Sequence, residues 1–323
     1  MPRKISVCIP VKNRADLLPF TLDSLLQQTL PPYEIIVADD GSTDHLPQVI
    51  QQYKDRVIFI KNTGKGPGAG RNSGLEIATG DTIQFFDSDD LLTKNKLEAQ
   101  AKALDKGGKG MVYGQYVQAY QDEQGNWIQK DVIMQHLPFP DTLPMWEWVL
   151  RGWCTITQSC LFDKDFILKE VGLWRTDLMP HEDYEFMFRI GKACPFPTHT
   201  QEGAVLYRQH GMQITDSATK IIDRSIDGLN ATRLIEEQIT QTPCLMTQVV
   251  FEGRRYLAIK NLIKKGADMT VFQQHLTTKN QVNSVLYRIY NKLENKKTNS
   301  TWQTMHGISA DKELYQKIVN DLV

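Results

Sequence analysis

The sequence predicts an α/β fold: a mostly parallel sheet flanked by helices, followed by a helical appendage. Short β-branched apolar runs alternate with stretches whose apolar residues recur at three-and-four spacing. That alternation stops near residue 104, and from residue 219 onward the spacing is mainly helical. The charge is also uneven. Residues 251–323 hold 12 Lys+Arg against 6 Asp+Glu, whereas the first 250 hold 25 against 32. Together these features divide the chain into an α/β half over 1–105, a less regular second part over 106–218, and a helical region over 219–323.

The elements follow in order. Residues 5–11 are a buried strand ending near Pro10. Leu17, Leu18, Thr21, Leu22, Leu25 and Leu26 make 15–28 an amphipathic helix, with Pro19 in the tolerated first turn and Pro31-Pro32 as its stop. YEIIVA (33–38) is a second strand. Next come a helix over 45–53, a strand over 56–61, a helix over 70–78 and a strand over 81–86. This alternation predicts parallel strands with helices on both faces.

Composition limits the function. With 323 residues, 41% hydrophobic and 23% charged, the chain can bury a sizeable core. A net charge of −1 argues against wrapping nucleic acid. No stretch approaches the ~20 apolar residues of a membrane span. The start, MPRKISVCIPVKNR, does not read as a signal peptide. The five scattered cysteines, with no CxxC pair, suit reduced thiols and hence a cytoplasmic setting.

In an open parallel sheet, ligands bind beyond the carboxyl ends of the strands. Those ends carry Pro10-Val11-Lys12-Asn13, Asp39-Asp40-Gly41-Ser42-Thr43-Asp44, the glycine-rich 62–71, and Asp87-Ser88-Asp89-Asp90. Carboxylates gathered from two strand ends repel unless a cation or hydrogen-bond donors compensate. A divalent metal with a diphosphate meets that need, and hard oxygen ligands suit Mn²⁺ or Mg²⁺. The structural alternative makes Asp40-Gly41-Ser42 a turn, with Asp44 or Ser42 capping one helix and Asp90 another. Residues 64–69 also read as G-x-G-x-x-A, the pieces of a dinucleotide fingerprint, although on the third strand and interrupted by Pro67. This leaves a nicotinamide-dependent oxidoreductase as an alternative. The other reading is a flexible loop that sets Arg71 beside a nucleotide.

Three segments, ISVCIPVKNRADLLPFTLDSLLQQT, YEIIVADDGSTD and GPGAGRNSGLEIATGDTIQFFDSDDLL, together resemble the nucleotide-binding half of family 2 glycosyltransferases. The resemblance implies a GT-A fold and inverting transfer of a sugar from a nucleoside-diphosphate donor, a UDP-sugar being the first expectation. It implies that Asp39 contacts the donor base and that Arg71 lies near the nucleotide. Asp87 would face the ribose and Asp89 the metal, with Asp90 an additional ligand. Pro10, Asp40 and Ser88 belong to the same donor-binding edge.

Later segments extend the resemblance. MVYGQYVQAY (111–120) and 126–132 read as a hairpin, 155–162 as a strand and 166–171 as a short helix. Trp146, Trp148 and Trp153 are either core or the aromatic wall of an acceptor cleft. His181-Glu182-Asp183-Tyr184-Glu185 is not H-E-x-x-H, so no zinc-protease site exists there. The acids begin a helix over 182–191, where they are either dipole-favourable caps or the family's E-D motif. On the second reading, Asp183 is the general base that takes the acceptor hydroxyl proton, and Glu182 orients the acceptor. Past the strand 204–207, the resemblance makes Arg208 a phosphate partner and His210 a metal ligand. Beyond 219, helices are expected over 221–237, 247–265, 269–276, 283–293 and 311–323. Arg288, Lys292, Lys296 and Lys297 make the fourth a basic amphipathic segment, suited to a peripheral membrane contact, a homodimer contact or a solvated face. The acceptor would be a glycan, a lipid-linked sugar or a protein. A non-catalytic sugar-binding module is the second alternative, disfavoured by the intact Asp89 and Asp183.

Overall fold

The computed structural model describes residues 2–122, 124, 126–153, 155–210, 221–267, 309 and 311–321. The first strand, β1 (Ile5–Val11), is buried throughout, with Ile5, Val7 and Ile9 in one layer and Cys8 in the other. Helix α1 (Leu18–Leu26) turns Leu18, Leu22 and Leu25 into the first layer. β2 (Glu34–Asp39), α2 (Leu46–Gln52) and β3 (Ile58–Lys61) follow as the pattern predicts.

Helix α3 (Gly66–Ile77) begins at Gly66 rather than Gly70, so most of the supposed glycine loop is its first turn. Close packing explains this. A Cβ on Gly70 would lie 2.8 Å from Pro10 Cβ, and one on Gly74 2.9 Å from Cys8 Cβ. The small residues let α3 lie directly on β1, and this contact overrides their poor helix propensity. A Cβ on Gly68 would meet the Arg175 carbonyl at 2.6 Å. The glycines thus serve helix packing, and the dinucleotide fingerprint has no pyrophosphate-binding loop to occupy.

β4 (Thr82–Phe85), the short β5 (Leu91–Leu92), α4 (Lys96–Asp105), β6 (Met111–Gln121) and β7 (Trp127–Met134) come next. After α5 (Met145–Leu150), a 3₁₀ turn at Thr157–Ser159 leads into β8 (Cys160–Asp163). The 155–162 run is therefore only half strand. Thr155 and Ser159 share a hydroxyl hydrogen bond of 2.7 Å, and Ser159 Oγ donates to Ile156 O at 2.8 Å, which favours the turn. The rest comprises α6 (Lys164–Phe166) with a π-helical continuation (Ile167–Val171), α7 (Glu182–Ala193), β9 (Thr198–Gln209), α8 (Ile221–Gln238), α9 (Leu245–Lys264) and α10 (Lys312–Asn320).

The sheet order is β3-β2-β1-β4-β8-β6-β9-β5, with β7 on β6. β3, β2, β1 and β4 are mutually parallel, and β4 pairs antiparallel with β8. The chain runs outward from β1 to β3 and returns to the other side of β1 at β4. That reversal is the topological switch point where a ligand crevice is expected. Beyond β4 the sheet is mixed: β6 runs antiparallel to β7 and β8 and parallel to β9.

Trp146, Trp148 and Trp153 are 8%, 9% and 1% exposed and belong to the main core, so they do not wall an open cleft. Ile235 of α8 and Phe251 of α9 join the same core, while Tyr315 and Ile318 of α10 pack on Val117, Ile133 and Leu206. The helices expected over 269–276 and 283–293, with their basic face, lie outside the described residues. No helix among the described residues is long and apolar enough to cross a membrane.

Candidate active site

The acidic edge assembles at the switch point. The tight turn after β4 brings carboxylate oxygens of Asp87, Asp89 and Asp90 within 4.8 Å of one another. Arg71 Nη2 donates to Asp87 Oδ1 at 2.8 Å, and Gln158 Nε2 to Asp87 Oδ2 at 2.5 Å. Asp89 Oδ2 accepts from Arg14 Nε at 3.2 Å and faces His210 Nε2 at 3.0 Å. Asp90 has no exposed surface and caps no helix. Its Oδ1 accepts from Arg208 N at 2.9 Å and its Oδ2 from Gln158 Nε2 at 2.8 Å. Ser88 is buried, and its carbonyl accepts from Thr21 Oγ1 at 3.1 Å.

Burial raises the Asp87 carboxyl above its ordinary range, with the Asp89 charge adding to this against the pull of Arg71. Burial and the charges of Asp89 and Asp87 push Asp90 well up. For Asp89, burial is outweighed by the His210 hydrogen bond and the Arg14 charge, and its carboxyl stays below the usual range. Three crowded carboxylates, two of them already paired with Arg71 and Arg14, still offer the hard oxygen donors that fit a divalent cation. Among the described residues Asp89 Oδ1 makes no hydrogen bond, as a ligand oxygen should. His210 is buried, and its Nδ1 has no hydrogen-bond partner among the described residues.

The second strand end behaves differently. Asp39 is half-buried, and its Oδ1 accepts from Ser42 N at 2.9 Å. Asp40 is a strut, accepting from Lys12 Nζ (3.1 Å), Asn62 Nδ2 (2.8 Å) and Gly66 N (3.2 Å). Asp44 precedes the N-cap residue of α2, His45, and ties this loop to α1, accepting from Leu46 N at 3.2 Å and from Ala15 N at 2.9 Å. Pro10 is buried beneath Gly70.

Arg71 joins the two acidic motifs. It is 6% exposed, and its Nη1 donates to Glu182 Oε1 at 3.3 Å while Nη2 holds Asp87. Its guanidinium lies 4.5 Å from the centre of the Trp174 ring, whose own ring stacks on Phe186 at 3.8 Å. Asn72 fixes that tryptophan by pairing with both its backbone N–H and its carbonyl, each at 2.9 Å.

Glu182 and Asp183 open α7. Burial and the neighbouring Asp183 raise Glu182 from 4.5 to about 7 against the pull of Arg71. Asp183 is exposed to a cavity of about 660 Å³ that also meets His181, Tyr184, Gly228, Phe251 and Arg254. The surrounding protein still desolvates its carboxyl and raises its pKa, opposed by Tyr184 N, Arg71 and His181. Asp227 Oδ2 of α8 accepts from Met179 N (3.0 Å) and His181 N (3.1 Å) and faces His181 Nδ1 (3.2 Å), holding the entry to α7. Arg208 stands at the other acidic motif: its guanidinium bonds Asp89 O and Leu17 O and lies near the rings of Phe20 and Trp127.

The Glu182 shift has a signed consequence. The folded state binds this proton more tightly than the unfolded chain, so the associated stability is complete below pH 4.5 and lost as pH rises through about 7. Glu182→Gln, permanently neutral, should gain on the wild type by on the order of 2 kcal/mol between about pH 5 and 8. Urea unfolding across that range checks it. A constant difference would mean that Arg71 keeps Glu182 ionised throughout.

Arg14, Asn72, Gln158 and Asp227 are site residues that sequence reasoning missed. Arg14 alone left a signal, a cation breaking an apolar strand end.

Comparison with known proteins follows from this geometry. The family model "Glycosyl transferase family 2" matches residues 6–168. An uncharacterized glycosyltransferase of Haemophilus influenzae is 33% identical over 189 residues, covering 56% of this chain and 69% of the relative. The poly(ribitol-phosphate) beta-glucosyltransferase of Bacillus spizizenii is 46% identical over 101 residues, 29% of this chain and 16% of that protein. Among solved structures, S. aureus TarS 1-349 in complex with UDP has a TM-score of 0.62 at 17% identity, covering 97% of this chain and 91% of that one. The mannosyltransferase PcManGT of Pyrobaculum calidifontis, in complex with GDP-Man and Mn²⁺, has a TM-score of 0.56 at 17% identity, covering 99% and 88%. The fold is therefore that of the GT-A glycosyltransferases, and the chain belongs to glycosyl transferase family 2.

Proposed function

We propose that this transferase is metal-dependent and inverting, moving a sugar from a nucleoside diphosphate, UDP in the first instance, to an acceptor hydroxyl in polysaccharide or glycoconjugate synthesis. The observation that carries the reading is the Arg71 bridge between Asp87 and Glu182, which joins the acidic end of β4 to the acids opening α7. A donor diphosphate at the first motif and an acceptor hydroxyl at the second would then share one crevice. The donor side is residues 1–105, the acceptor side 106–218, and α8 and α9 of the C-terminal region line the acceptor cavity.

Asp89, with Asp87 beside it, would hold Mn²⁺ or Mg²⁺. A divalent ion held by these residues would supply charge neutralisation to the departing diphosphate. Asp39, at the end of β2, would contact the base, and Arg71 would lie near the nucleotide. Asp183 takes the proton from the acceptor hydroxyl as its oxygen attacks the anomeric carbon opposite the diphosphate, and the attack inverts that centre. Desolvation suits Asp183 to this task, since a raised carboxyl pKa makes a better base. The reading places the protein in the cytoplasm, with peripheral membrane contact or self-association left to the C-terminal region. Release of UDP should be detected from a UDP-sugar with Mn²⁺ and should stop on chelation. Equal release with the chelator present would overturn the metal dependence.

A further inference from the structure

Gln158 lies 4% exposed in the 3₁₀ turn before β8, about seventy positions from the acids it touches. Its Nε2 sits 2.5 Å from Asp87 Oδ2 and 2.8 Å from Asp90 Oδ2, so both N–H donors are spent on two different carboxylates. The amide orientation follows from chemistry, because an Oε1 in this place would need a donor proton on both carboxyl groups at once.

The turn beneath is held just as firmly. Lys96 Nζ, which has donors only, bonds Gln84 Oε1 and so leaves Gln84 Nε2 to donate to Gln158 O at 3.1 Å. Gln100 Nε2 donates to the next carbonyl, Ser159 O, at 2.7 Å. Two buried amides therefore fix the backbone that carries the clamp.

A neutral donor pair is the chemistry this position needs. Arg71 and Arg14 already pair with Asp87 and Asp89, so a third cation here would offset more of the negative charge that attracts a metal, and an acid would drive the carboxylates apart. An amide holds two carboxyl groups at a set separation and adds no charge of its own. We infer that Gln158 is a positioning residue for the metal-binding carboxylates: it locks Asp87 and Asp90 so that Asp89 Oδ1 stays open as a ligand. This rests on the proposed metal reading of the same site.

The test uses UDP as probe, titrated by calorimetry into the wild type and Gln158→Met with and without Mn²⁺. Met keeps the volume and lacks both donors. The ratio of UDP affinity with Mn²⁺ to that without should fall by about ten- to a hundredfold. Metal-free UDP affinity should hold within about threefold. Gln158→Asn keeps the donors but retracts them by one methylene, and a smaller loss in the same direction is expected. It also serves if the Met variant does not fold. An unchanged ratio in a folded variant, or an equal loss with and without metal, overturns the clamp. A wild type without any Mn²⁺ response overturns the metal reading itself, and the clamp with it.

Discussion

Asp183→Asn should lower turnover by about 10²–10⁴-fold, the usual contribution of a general base. The substitution keeps the size of the side chain, and its amide oxygen can still accept from Tyr184 N, now at 2.7 Å. It cannot take a proton at neutral pH. Donor affinity should change by less than about threefold, because the groups placed for base, ribose and diphosphate are on other residues. The structural alternative, an acid that only favours the helix N-terminus, predicts a stability loss of about 1 kcal/mol with turnover near normal. A melting curve, a UDP titration and a rate on the same variant separate the two. Near-normal turnover would remove Asp183 from the mechanism.

Asp89→Asn should abolish the Mn²⁺-dependent tightening of UDP binding, a loss of at least about tenfold. Its effect on stability has a separate cause. Asp89 Oδ2 is shared by Arg14 and the buried His210, and loss of the carboxylate charge weakens both contacts. That should cost about 1–3 kcal/mol in the metal-free protein. Calorimetry with and without Mn²⁺ reads the first effect, and denaturant unfolding without metal the second. The same metal response in variant and wild type would take Asp89 out of the ligand set.

The parts of this site that could be read from the sequence are those with local punctuation. Asp39 and Asp87 each follow an apolar strand, and Glu182-Asp183 opens an amphipathic helix, so their positions follow from periodicity and the switch-point rule. Gln158 and Asp227 carry no such mark. Gln158 reaches the acids only because β4 pairs antiparallel with β8, Ile83 opposite Phe162, a register that no local pattern encodes. Asp227 acts from a helix that sequence reading had set apart as an appendage. The glycines after β3 misled for a related reason: they are breaker signals locally, and only the contacts with Pro10 and Cys8 turn them into a helical turn. The tryptophans were ambiguous because aromatic content does not distinguish a core from a cleft. Arg208 was placed by resemblance alone; its guanidinium reaches both the Asp89 carbonyl and Leu17 at the start of α1, a pairing that no local pattern encodes.

The strand order also limits how this enzyme can be recombined. A donor cassette cut at residue 105 would end before β8 and β6, leaving β4 with one bare edge although Thr82 and Ile83 pair with Asp163 and Phe162 in the whole chain. Such an edge invites pairing with other chains. The same cut would strip Arg71 of Glu182 and both Asp87 and Asp90 of Gln158. Chimaeras with relatives of different donor preference should therefore cross over after β9 rather than at the apparent boundary, because the two halves are folded as one sheet.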